Sequence, residues 1–497
     1  MSILNRRRFL ATTAATAALT VPIGHLAPMS AWAAGSPPTV LRIVRRVIEV
    51  DGRPASVFGL LQPDGSHGLV TEAGKRFRVR LENRIEEPTL VHWHGLLPPY
   101  GQDGVPDLPQ PPLPPQAAYD YDFPLERPGT NWMHAHHGLF EQQLMAAPLV
   151  VRDPSEAAAD IQDVVVLFHD FTFRDPAEIL AELRAGGGGH AMPTQPAQPA
   201  MGHGGMHGAG HGAAATAPAM HGGQAPMSMP HLHDVEYDAF LANDRTLADP
   251  AVFRVEAGGR VRLRLINGAA ATNFWLDTGA LQGRLVAVDG DPIEPIDGHR
   301  FPFAIAQRLD ILIELPREQG AWPILALREG DNRRTGFVLA TREGRIAKLP
   351  EEGGERTPPV GLDLERRLRA SRPLAARSAD RTFTLTLDEQ PGYVWSLGGK
   401  PFGSHEPLRV RKGERVEVTL VNRTTMSHPM HLHGHRFQVV AIDGKRLSGA
   451  VRDTVLVPID GQVTIAFDAD NPGTWLLHCH QLYHMVAGMM TTIVYES

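Results

Sequence analysis

The sequence predicts an all-β protein built from three related Greek-key β-sandwich domains, and two features of the chain indicate this. Gly (49) and Pro (42) are plentiful while aromatic residues make up 6% of the 497 residues, a balance typical of many short strands joined by turns. In addition, residues 73–83, 257–267 and 412–422 align without gaps, each with a Gly turn followed by alternating apolar and polar residues. Such alternation is typical of a strand with one buried face.

The spacing of these segments is that of whole domains. Gly258 follows Gly74 by 184 positions, and Gly413 follows Gly258 by 155 positions. A repeat of this length predicts related domains rather than a short-period solenoid. The predicted organisation is a first domain at 39–155, a second at 160–346, a linker at 347–380 and a third domain at 381–497.

Within the second domain, residues 185–233 are rich in Gly, Ala, Pro, Met and His. We interpret them as a low-complexity insertion that precedes most of the domain. A short amphipathic helix is predicted just before it, near Pro176–Arg184.

The first 33 residues are interpreted as a twin-arginine signal peptide rather than as structure. Three Arg at 6–8 precede Phe and Leu, an Ala/Thr stretch follows, and A-W-A at 31–33 is typical of a cleavage site. The alternative is an N-terminal membrane anchor, which Pro22 and Gly24 disfavour because they interrupt the stretch. We therefore expect export to the periplasm and no stable membrane anchor.

Net charge and cysteine content narrow the function further. The formal net charge of -7 offers no basic patch for nucleic acid. The only cysteine, Cys479, cannot form an internal disulfide, so its thiol is either idle or chemically active.

Histidine pairs follow the repeat in the outer domains only. Nine residues after Asn83 comes His92, in H-W-H-G, and nine residues after Asn422 comes His431, in H-L-H-G. The corresponding position of the middle domain is Leu276.

A second pair of motifs follows the same rule. Residues 128–136 read P-G-T-N-W-M-H-A-H, and residues 472–480 read P-G-T-W-L-L-H-C-H. Together the outer domains present eight imidazoles related by a pseudo-twofold axis, which predicts a metal cluster between the first and third domains. Zinc is disfavoured because a zinc site closes with four ligands.

The H-C-H sequence at 478–480 predicts a second kind of metal site. In a strand, Cys479 points away from the two flanking histidines. A thiolate with two imidazoles and a long thioether forms a blue-copper electron-transfer site. The residues that offer these ligands are His428, Cys479, His484 and Met489.

The first domain lacks such a set. Its matching residues are Thr89, Ala135, Phe140 and Met145. We therefore expect electrons to enter through the third domain.

These motifs resemble the three-domain multicopper oxidase family, which includes laccases, ascorbate oxidases and bacterial cuprous oxidases, and the resemblance spans roughly residues 39–497. It implies three cupredoxin domains, four copper ions and the coupling of one-electron substrate oxidation to reduction of dioxygen to water. By this resemblance the ligands are His92 and His431 for type 2 copper; His94, His134, His136, His433, His478 and His480 for the type 3 pair; and His428, Cys479, His484 and Met489 for type 1 copper.

The resemblance also concerns protons. Asp103, in G-Q-D-G-V-P, resembles the family carboxylate that hydrogen-bonds water near type 2 copper and relays protons. The alternative is an ordinary turn Asp before Gly. Many bacterial members carry a second acid directly after the second type 1 histidine, but this chain has Met485, so another acid or a water chain would have to replace it. His137, in W-M-H-A-H-H, is an additional imidazole that we expect behind the ligands or exposed.

Two substrate classes compete. A cuprous oxidase of copper tolerance is favoured because residues 190–233 hold six of the 15 Met and seven of the 24 His, and thioether sulfur suits Cu(I). Met426 resembles a substrate Cu(I) contact of such enzymes, although their companion Asp falls at Thr424. The alternative is a laccase-like oxidase of phenols or Mn(II), and an axial Met argues weakly against demanding phenols. A copper-free envelope protein of the same fold is the non-enzymatic alternative. We expect a monomer whose partners are dioxygen and Cu(I) or a small organic reductant.

Overall fold

The computed structural model describes residues 37–186 and 232–496. The predicted signal peptide and nearly all of the predicted insertion lie outside the described residues. No helix among the described residues is long and apolar enough to cross a membrane.

The first sandwich consists of two four-stranded sheets, ordered β2-β1-β4-β6 and β3-β8-β7-β5. Its strands are β1 Thr39–Val50, β2 Arg53–Leu61, β3 Leu69–Glu72, β4 Arg76–Asn83, β5 Val91–His92, β6 Ala118–Pro124, β7 Gly129–Ala135 and β8 Ala146–Arg152.

The second sandwich is formed by a six-stranded sheet, β10-β9-β12-β17-β14-β15, and a five-stranded sheet, β11-β19-β18-β13-β16. Its strands are β9 Gln162–Phe171, β10 Ala239–Ala242, β11 Val252–Arg254, β12 Arg260–Asn267, β13 Phe274–Asp277, β14 Gly283–Val288, β15 Asp291–Gly298, β16 Arg300–Phe303, β17 Arg308–Glu314, β18 Ala321–Arg328 and β19 Arg334–Ala340.

The third sandwich pairs a sheet ordered β21-β20-β23-β29-β25-β26, to which β27 is added through β25, with the sheet β22-β31-β30-β24-β28. Its strands are β20 Arg381–Gln390, β21 Val394–Leu397, β22 Leu408–Arg411, β23 Arg415–Asn422, β24 His428–Leu432, β25 Phe437–Ile442, β26 Lys445–Arg446, β27 Val451–Arg452, β28 Thr454–Val457, β29 Gln462–Asp468, β30 Thr474–Cys479 and β31 Met490–Glu496.

The three repeat segments occupy the same place in each sandwich, which confirms the predicted fold class. Strands β4, β12 and β23 each run parallel to the strand that opens their sandwich and antiparallel to a later one. Their apolar residues alternate inward, as in β4, where Phe77, Val79 and Leu81 are at most 2% exposed. Burial of one face of each such strand supplies the hydrophobic stabilisation of the sandwich.

A buried asparagine ends each of these strands and fixes the loop that follows. Asn422 donates from Nδ2 to the carbonyls of Met426 and Val457, and its Oδ1 accepts from the backbone N–H of Thr424. Asn83 and Asn267 make the same kind of contacts in their own sandwiches. Because buried polar groups need partners, this side chain specifies one loop path. In the third sandwich that path leads directly into His428.

Within residues 37–186 and 232–496 the chain forms three short α-helices: α1 Pro176–Arg184, α2 Asp363–Arg367 and α3 Leu482–Val486. Helix α1 has the predicted bounds, is capped by the Asp175 carboxylate and buries Ile179, Leu180 and Leu183. Helix α2 was not predicted and lies in the segment interpreted as a linker. That segment is packed rather than free, since Val360, Leu362 and Leu364 are buried.

Candidate metal centre

The His-x-His pairs lie at the same register in the outer sandwiches. In the first, β5 pairs with β7 so that His92 is opposite His134. In the third, β24 pairs with β30 so that His431 is opposite His478. The repeated motifs therefore have a repeated geometry, and the two halves meet about a pseudo-twofold axis.

Glycine follows each H-x-H pair because the chain turns sharply against a neighbour. Gly95 has φ +96°, and a Cβ there would lie 2.3 Å from Asn131 Oδ1. Gly434 has φ +66°, and a Cβ there would lie 2.3 Å from the ring of Trp475. Since other residues rarely adopt this conformation, both glycines are required for the turns that place the histidines.

The eight imidazoles predicted from the repeat come together at one point between the first and third sandwiches. His94 stacks on His431 with ring centroids 3.7 Å apart, and His92 faces His433 at 3.9 Å. Seven of the eight are at most 2% exposed, and His136 is partly buried. The residues brought together are His92, His94, His134, His136, His431, His433, His478 and His480.

Two groups of three histidines face one another within this cluster. In trio A (His94, His134 and His480), the Nε2 atoms of His134 and His480 are 3.4 Å apart. In trio B (His136, His433 and His478), His478 Nε2 lies 3.4 Å from His136 Nε2 and 3.0 Å from His433 Nε2. Each trio takes ligands from both outer sandwiches, so a metal held there would join them.

The chemistry of these side chains suits copper. Buried ring nitrogens without a hydrogen-bond partner among the described residues are His92 Nε2, His94 Nδ1 and His431 Nε2. Buried polar atoms rarely stay unpaired, and metal coordination accounts for them. Burial also lowers the pKa of seven of the eight imidazoles, and neutral imidazole is the form that binds metal. The residues with lowered pKa are His94, His134, His136, His431, His433, His478 and His480.

A separate group of soft ligands lies on the other face of β30. Cys479 Sγ is 3.6 Å from His428 Nδ1 and 3.8 Å from His484 Nδ1, and the two Nδ1 atoms are 3.2 Å apart. Burial raises the pKa of the Cys479 thiol well above its usual range, so a bound metal would have to displace the proton. Met489 is fully buried, and its backbone carbonyl accepts from the Cys479 N–H.

The outer nitrogens of these two histidines are also held. His428 Nε2 contacts Thr424 Oγ1 at 2.7 Å, and His484 Nε2 donates to Asp234 Oδ2 at 2.8 Å. Met426, which the sequence suggested as a Cu(I) contact, is 1% exposed and packs in the core near His428.

Carboxylates support the cluster from both halves. Asp103 accepts from His433 Nδ1 at 2.8 Å, and its backbone carbonyl accepts from His92 Nδ1 at 3.0 Å. Asp453 repeats this arrangement, since its carboxylate accepts from His94 Nε2 at 3.1 Å and its carbonyl accepts from His431 Nδ1 at 2.9 Å. The two aspartates therefore occupy equivalent places about the pseudo-twofold axis.

Sequence reasoning missed Asp453 because the repeat is not gap-free there: Asp103 lies 11 positions after His92, whereas Asp453 lies 22 after His431. Although burial alone would raise it, the guanidinium groups of Arg308 and Arg436 hold the pKa of Asp453 well below its usual range. Asp453 is thus a fixed anion beside the cluster.

Two further acids near the ligands were also missed. Asp234 comes one position after the predicted insertion and 250 positions before His484, and no local sequence pattern predicts the contact between these two residues. Glu141 lies 2.7 Å from His134 Nδ1, and the repeat could have pointed to it, since Glu141 directly follows Phe140, the counterpart of His484. Burial and the nearby Asp170 raise the pKa of Glu141 well above its usual range. His137 is partly exposed and packs against Phe140.

Comparison with known proteins agrees with this geometry. Three multicopper oxidase models match residues 67–156, 162–343 and 376–497. The chain therefore belongs to the multicopper oxidase family. Proteins of this family are oxidoreductases that bind copper at type 1, type 2 and type 3 sites and pass electrons from a reductant to dioxygen.

Individual relatives fall into more than one functional group. The chain is 30% identical over 429 residues to the multicopper oxidase MmcO of Mycobacterium tuberculosis, covering 85% of this chain and 80% of that protein. It is 26% identical to copper resistance protein A of Escherichia coli, covering 85% and 86% of the two chains. The laccase of Botrytis aclada has the same fold, with a TM-score of 0.72 at 21% identity over 93% of this chain and 88% of that one.

Proposed function

We propose that this chain is a cuprous oxidase of copper tolerance, which oxidises Cu(I) one electron at a time and reduces dioxygen to water. The type 1 ligands would be His428, Cys479, His484 and Met489. The type 2 ligands would be His92 and His431, and trios A and B would hold the type 3 pair. When bound, the coppers supply the one-electron and dioxygen chemistry that no side chain of the protein can perform.

The observation that carries the electron-transfer part of this proposal is the position of Cys479. Its Sγ lies between His428 and His484, while the adjacent residues His478 and His480 belong to trios B and A. Alternation along β30 sends the thiol and the imidazoles to opposite faces. Two covalent paths therefore lead from the thiolate site to the cluster.

The observation that favours Cu(I) as the donor is the end of the Met- and His-rich insertion. The insertion stem, residues 232–237, is anchored to the second sandwich, where His233 Nε2 donates to the Glu329 carbonyl at 2.7 Å. Within the stem, the Asp234 carboxylate accepts from both His484 Nε2 and the Tyr393 hydroxyl. The described end of a segment whose sequence holds six methionines thus lies beside the imidazole through which electrons would enter. Thioether sulfur collects Cu(I), and a carboxylate at the entry attracts a cation.

The same contact bears on the laccase-like alternative. The side chains of His484 and Asp234 are 0% and 1% exposed, so the imidazole edge is covered rather than open to a bulky phenol. A metal ion that exchanges electrons through the carboxylate needs no such opening. For this reason we propose Cu(I) rather than a phenol as the substrate, and Mn(II) is the remaining cationic alternative.

Asp103 is proposed to assist the dioxygen half of the reaction. Its carboxylate is 3% exposed and bonded to His433, beside the two proposed type 2 ligands. Leu97, Gly434 and Arg436 line a small surface pocket together with His92 and His431, and this pocket is too narrow to hold a water molecule. Asp103 would hold a proton at a carboxylate oxygen and pass it inward as water forms.

We also propose export through the twin-arginine pathway to the periplasm and a monomeric, unanchored protein. The basis is the R-R-R motif at 6–8 and the A-W-A sequence at 31–33. Replacing the arginines by lysine should retain the protein in the cytoplasm. Periplasmic recovery of that variant would count against this route.

The test of the substrate is dioxygen uptake by copper-loaded protein with chelated Cu(I) and, separately, with a bulky phenol. A length-matched variant changes the six methionines between Met192 and Met229 to leucine and keeps the stem intact. Uptake with Cu(I) should be much faster than with the phenol and should fall in this variant, while a small organic donor serves as the internal control. Faster dioxygen uptake with the phenol would overturn the proposal that Cu(I) is the substrate. An equal fall in the rate of uptake with every donor in the leucine variant would mean that the insertion has only a structural role.

A further inference from the structure

A third carboxylate lies against the cluster in addition to Asp103 and Asp453. Glu141 is 2% exposed, and its Oε2 lies 2.7 Å from His134 Nδ1, a nitrogen that also faces the Ala135 backbone carbonyl at 3.1 Å. Its Oε1 lies 3.8 Å from His480 Nδ1 and has no hydrogen-bond partner among the described residues. One carboxylate therefore faces two members of trio A, one from each outer sandwich.

The turn that carries Glu141 is the counterpart of the turn that carries His484. In the first sandwich, the Ala135 N–H donates to the Met145 carbonyl at 2.8 Å. In the third, the Cys479 N–H donates to the Met489 carbonyl at 3.0 Å. Both pairs are separated by ten positions, so the two turns have the same length and closure and can be superposed residue by residue.

The counterpart of Glu141 in this superposition is Met485, 344 positions later. Met485 is 6% exposed and packs with Ala270 and Leu482. The chain therefore has an acid at this position in the first sandwich and an apolar side chain in the third.

The two trios are consequently supported unequally. In trio A, the Asp453 carboxylate contacts His94 and the Glu141 carboxylate contacts His134. In trio B, the Asp103 carboxylate contacts His433, and His478 Nδ1 faces the backbone carbonyl of Cys479 at 2.9 Å. His134 Nδ1 faces the equivalent carbonyl, that of Ala135, at 3.1 Å, so the difference between the trios is the additional Glu141 carboxylate beside His134.

We propose that Glu141 is a positioning residue of trio A, which fixes the orientation of His134 and His480 by a carboxylate that its counterpart Met485 does not provide. The contacts of His134 Nδ1 with the Glu141 carboxylate and the Ala135 carbonyl leave Nε2 as the nitrogen that faces His480 Nε2. The same carboxylate, by its distance to His480 Nδ1, sets the separation of a ligand from the first sandwich and one from the third. This inference rests on the ligand assignment in the proposed function.

The experiment compares Glu141→Met, which makes the two turns alike, with Glu141→Gln, which keeps the shape and one acceptor. The readouts are the copper retained against a chelator, the near-ultraviolet absorption of the coupled type 3 pair and the blue absorption of the type 1 site. Loss of a hydrogen-bonding group behind a ligand typically weakens metal affinity 10–100-fold. Glu141→Met should therefore lose type 3 copper at chelator concentrations about 10–100-fold lower than wild type, with the blue absorption unchanged and Glu141→Gln intermediate.

The matched control is Met485→Leu at the pseudo-twofold position, which should behave as wild type in all three readouts. Wild-type copper retention and near-ultraviolet absorption in Glu141→Met would overturn the inference, and the Glu141→Gln variant decides in the same way if Glu141→Met does not fold. A wild-type protein that binds no type 3 pair would instead overturn the proposed function.

Discussion

Arg308 offers the sharpest test of how the three sandwiches hold the cluster. It begins β17 in the second sandwich and is 0% exposed. Its Nη1 and Nη2 donate to the two oxygens of Asp453 at 2.6 and 2.5 Å, and its Nε donates to the Thr130 carbonyl at 3.2 Å. Arg308 of the second sandwich thus binds Asp453 of the third sandwich and Thr130 of the first. The second sandwich therefore helps to hold the other two together.

The expected cost of Arg308→Met follows from what the change leaves behind. Asp453 keeps Arg436, which donates from Nη1 at 2.6 Å, but it loses a buried fork with two hydrogen bonds. Removing one partner of a buried ion pair typically costs about 3–5 kcal/mol, because the remaining charge is left without compensation. We expect the free energy of unfolding to fall by that amount. Arg308→Lys should fall in between, since ammonium keeps the charge but not the fork.

The assay is urea denaturation of the copper-free protein, because bound copper would add its own stabilisation. The matched control is Arg446→Met, which removes an exposed bidentate pair with Glu417 at 2.8 and 2.9 Å. An exposed pair of this kind contributes at most about 1 kcal/mol. If Arg308→Met costs no more than Arg446→Met, the buried network does not hold the sandwiches together in the way described.

Three further predictions concern single carboxylates. Asp103→Asn should slow reoxidation by dioxygen more than reduction by substrate, and stopped-flow measurement showing equal slowing of both would refute a proton role. Asp234→Asn should raise the type 1 reduction potential, because His484 loses a charged acceptor that favours oxidised copper. A tenfold change in the preference for the oxidised over the reduced copper corresponds to about 59 mV. The measurement is a redox titration of the blue absorption, and an unchanged potential would contradict this prediction. Burial raises the pKa of Glu329 to about 7, so the folded protein keeps a proton that the unfolded chain loses above its usual pKa near 4.5. Stability should therefore fall by about 3 kcal/mol as the pH rises through this window. Glu329→Gln should remove that loss, and parallel denaturation curves for the two proteins from pH 4.5 to 7.5 would sink the idea.

The repeat made the fold class predictable from sequence because it combines two strong local signals. A Gly turn and strict alternation identify β4, β12 and β23, and their recurrence identifies the sandwiches without any long-range information. Helix α1 was predictable for a similar reason, since its apolar residues recur at helical spacing after a capping Asp. Helix α2 has only five residues and gives no comparable pattern.

The eight cluster histidines were predictable because each is part of a repeated motif, and the structure brings all eight together. The residues behind them were not. Arg308 and Asp234 contact partners 145 and 250 positions away, and a single sequence does not record which distant strands meet. Asp453 escaped because its loop differs in length from that of Asp103, although the two occupy equivalent places around the pseudo-twofold axis.

Met485 and Glu141 occupy equivalent positions of the repeat, and only the first sandwich has an acid there. The resemblance suggested that another acid or a water chain would replace the missing carboxylate in the third sandwich. The structure contains a buried acid at the equivalent place of the first sandwich, Glu141, against His134 and His480. Pseudo-symmetry allows a group to be supplied from either half, because both halves face the same cluster.

The most direct test of the account is anomalous diffraction at the copper edge from crystals of the copper-loaded protein. The account predicts a peak among His428, Cys479 and His484, another between His92 and His431, and one within each of trios A and B. Absence of copper beside Cys479, or metal at the cluster that does not scatter as copper, would contradict the proposed electron path from the thiolate site to the dioxygen site.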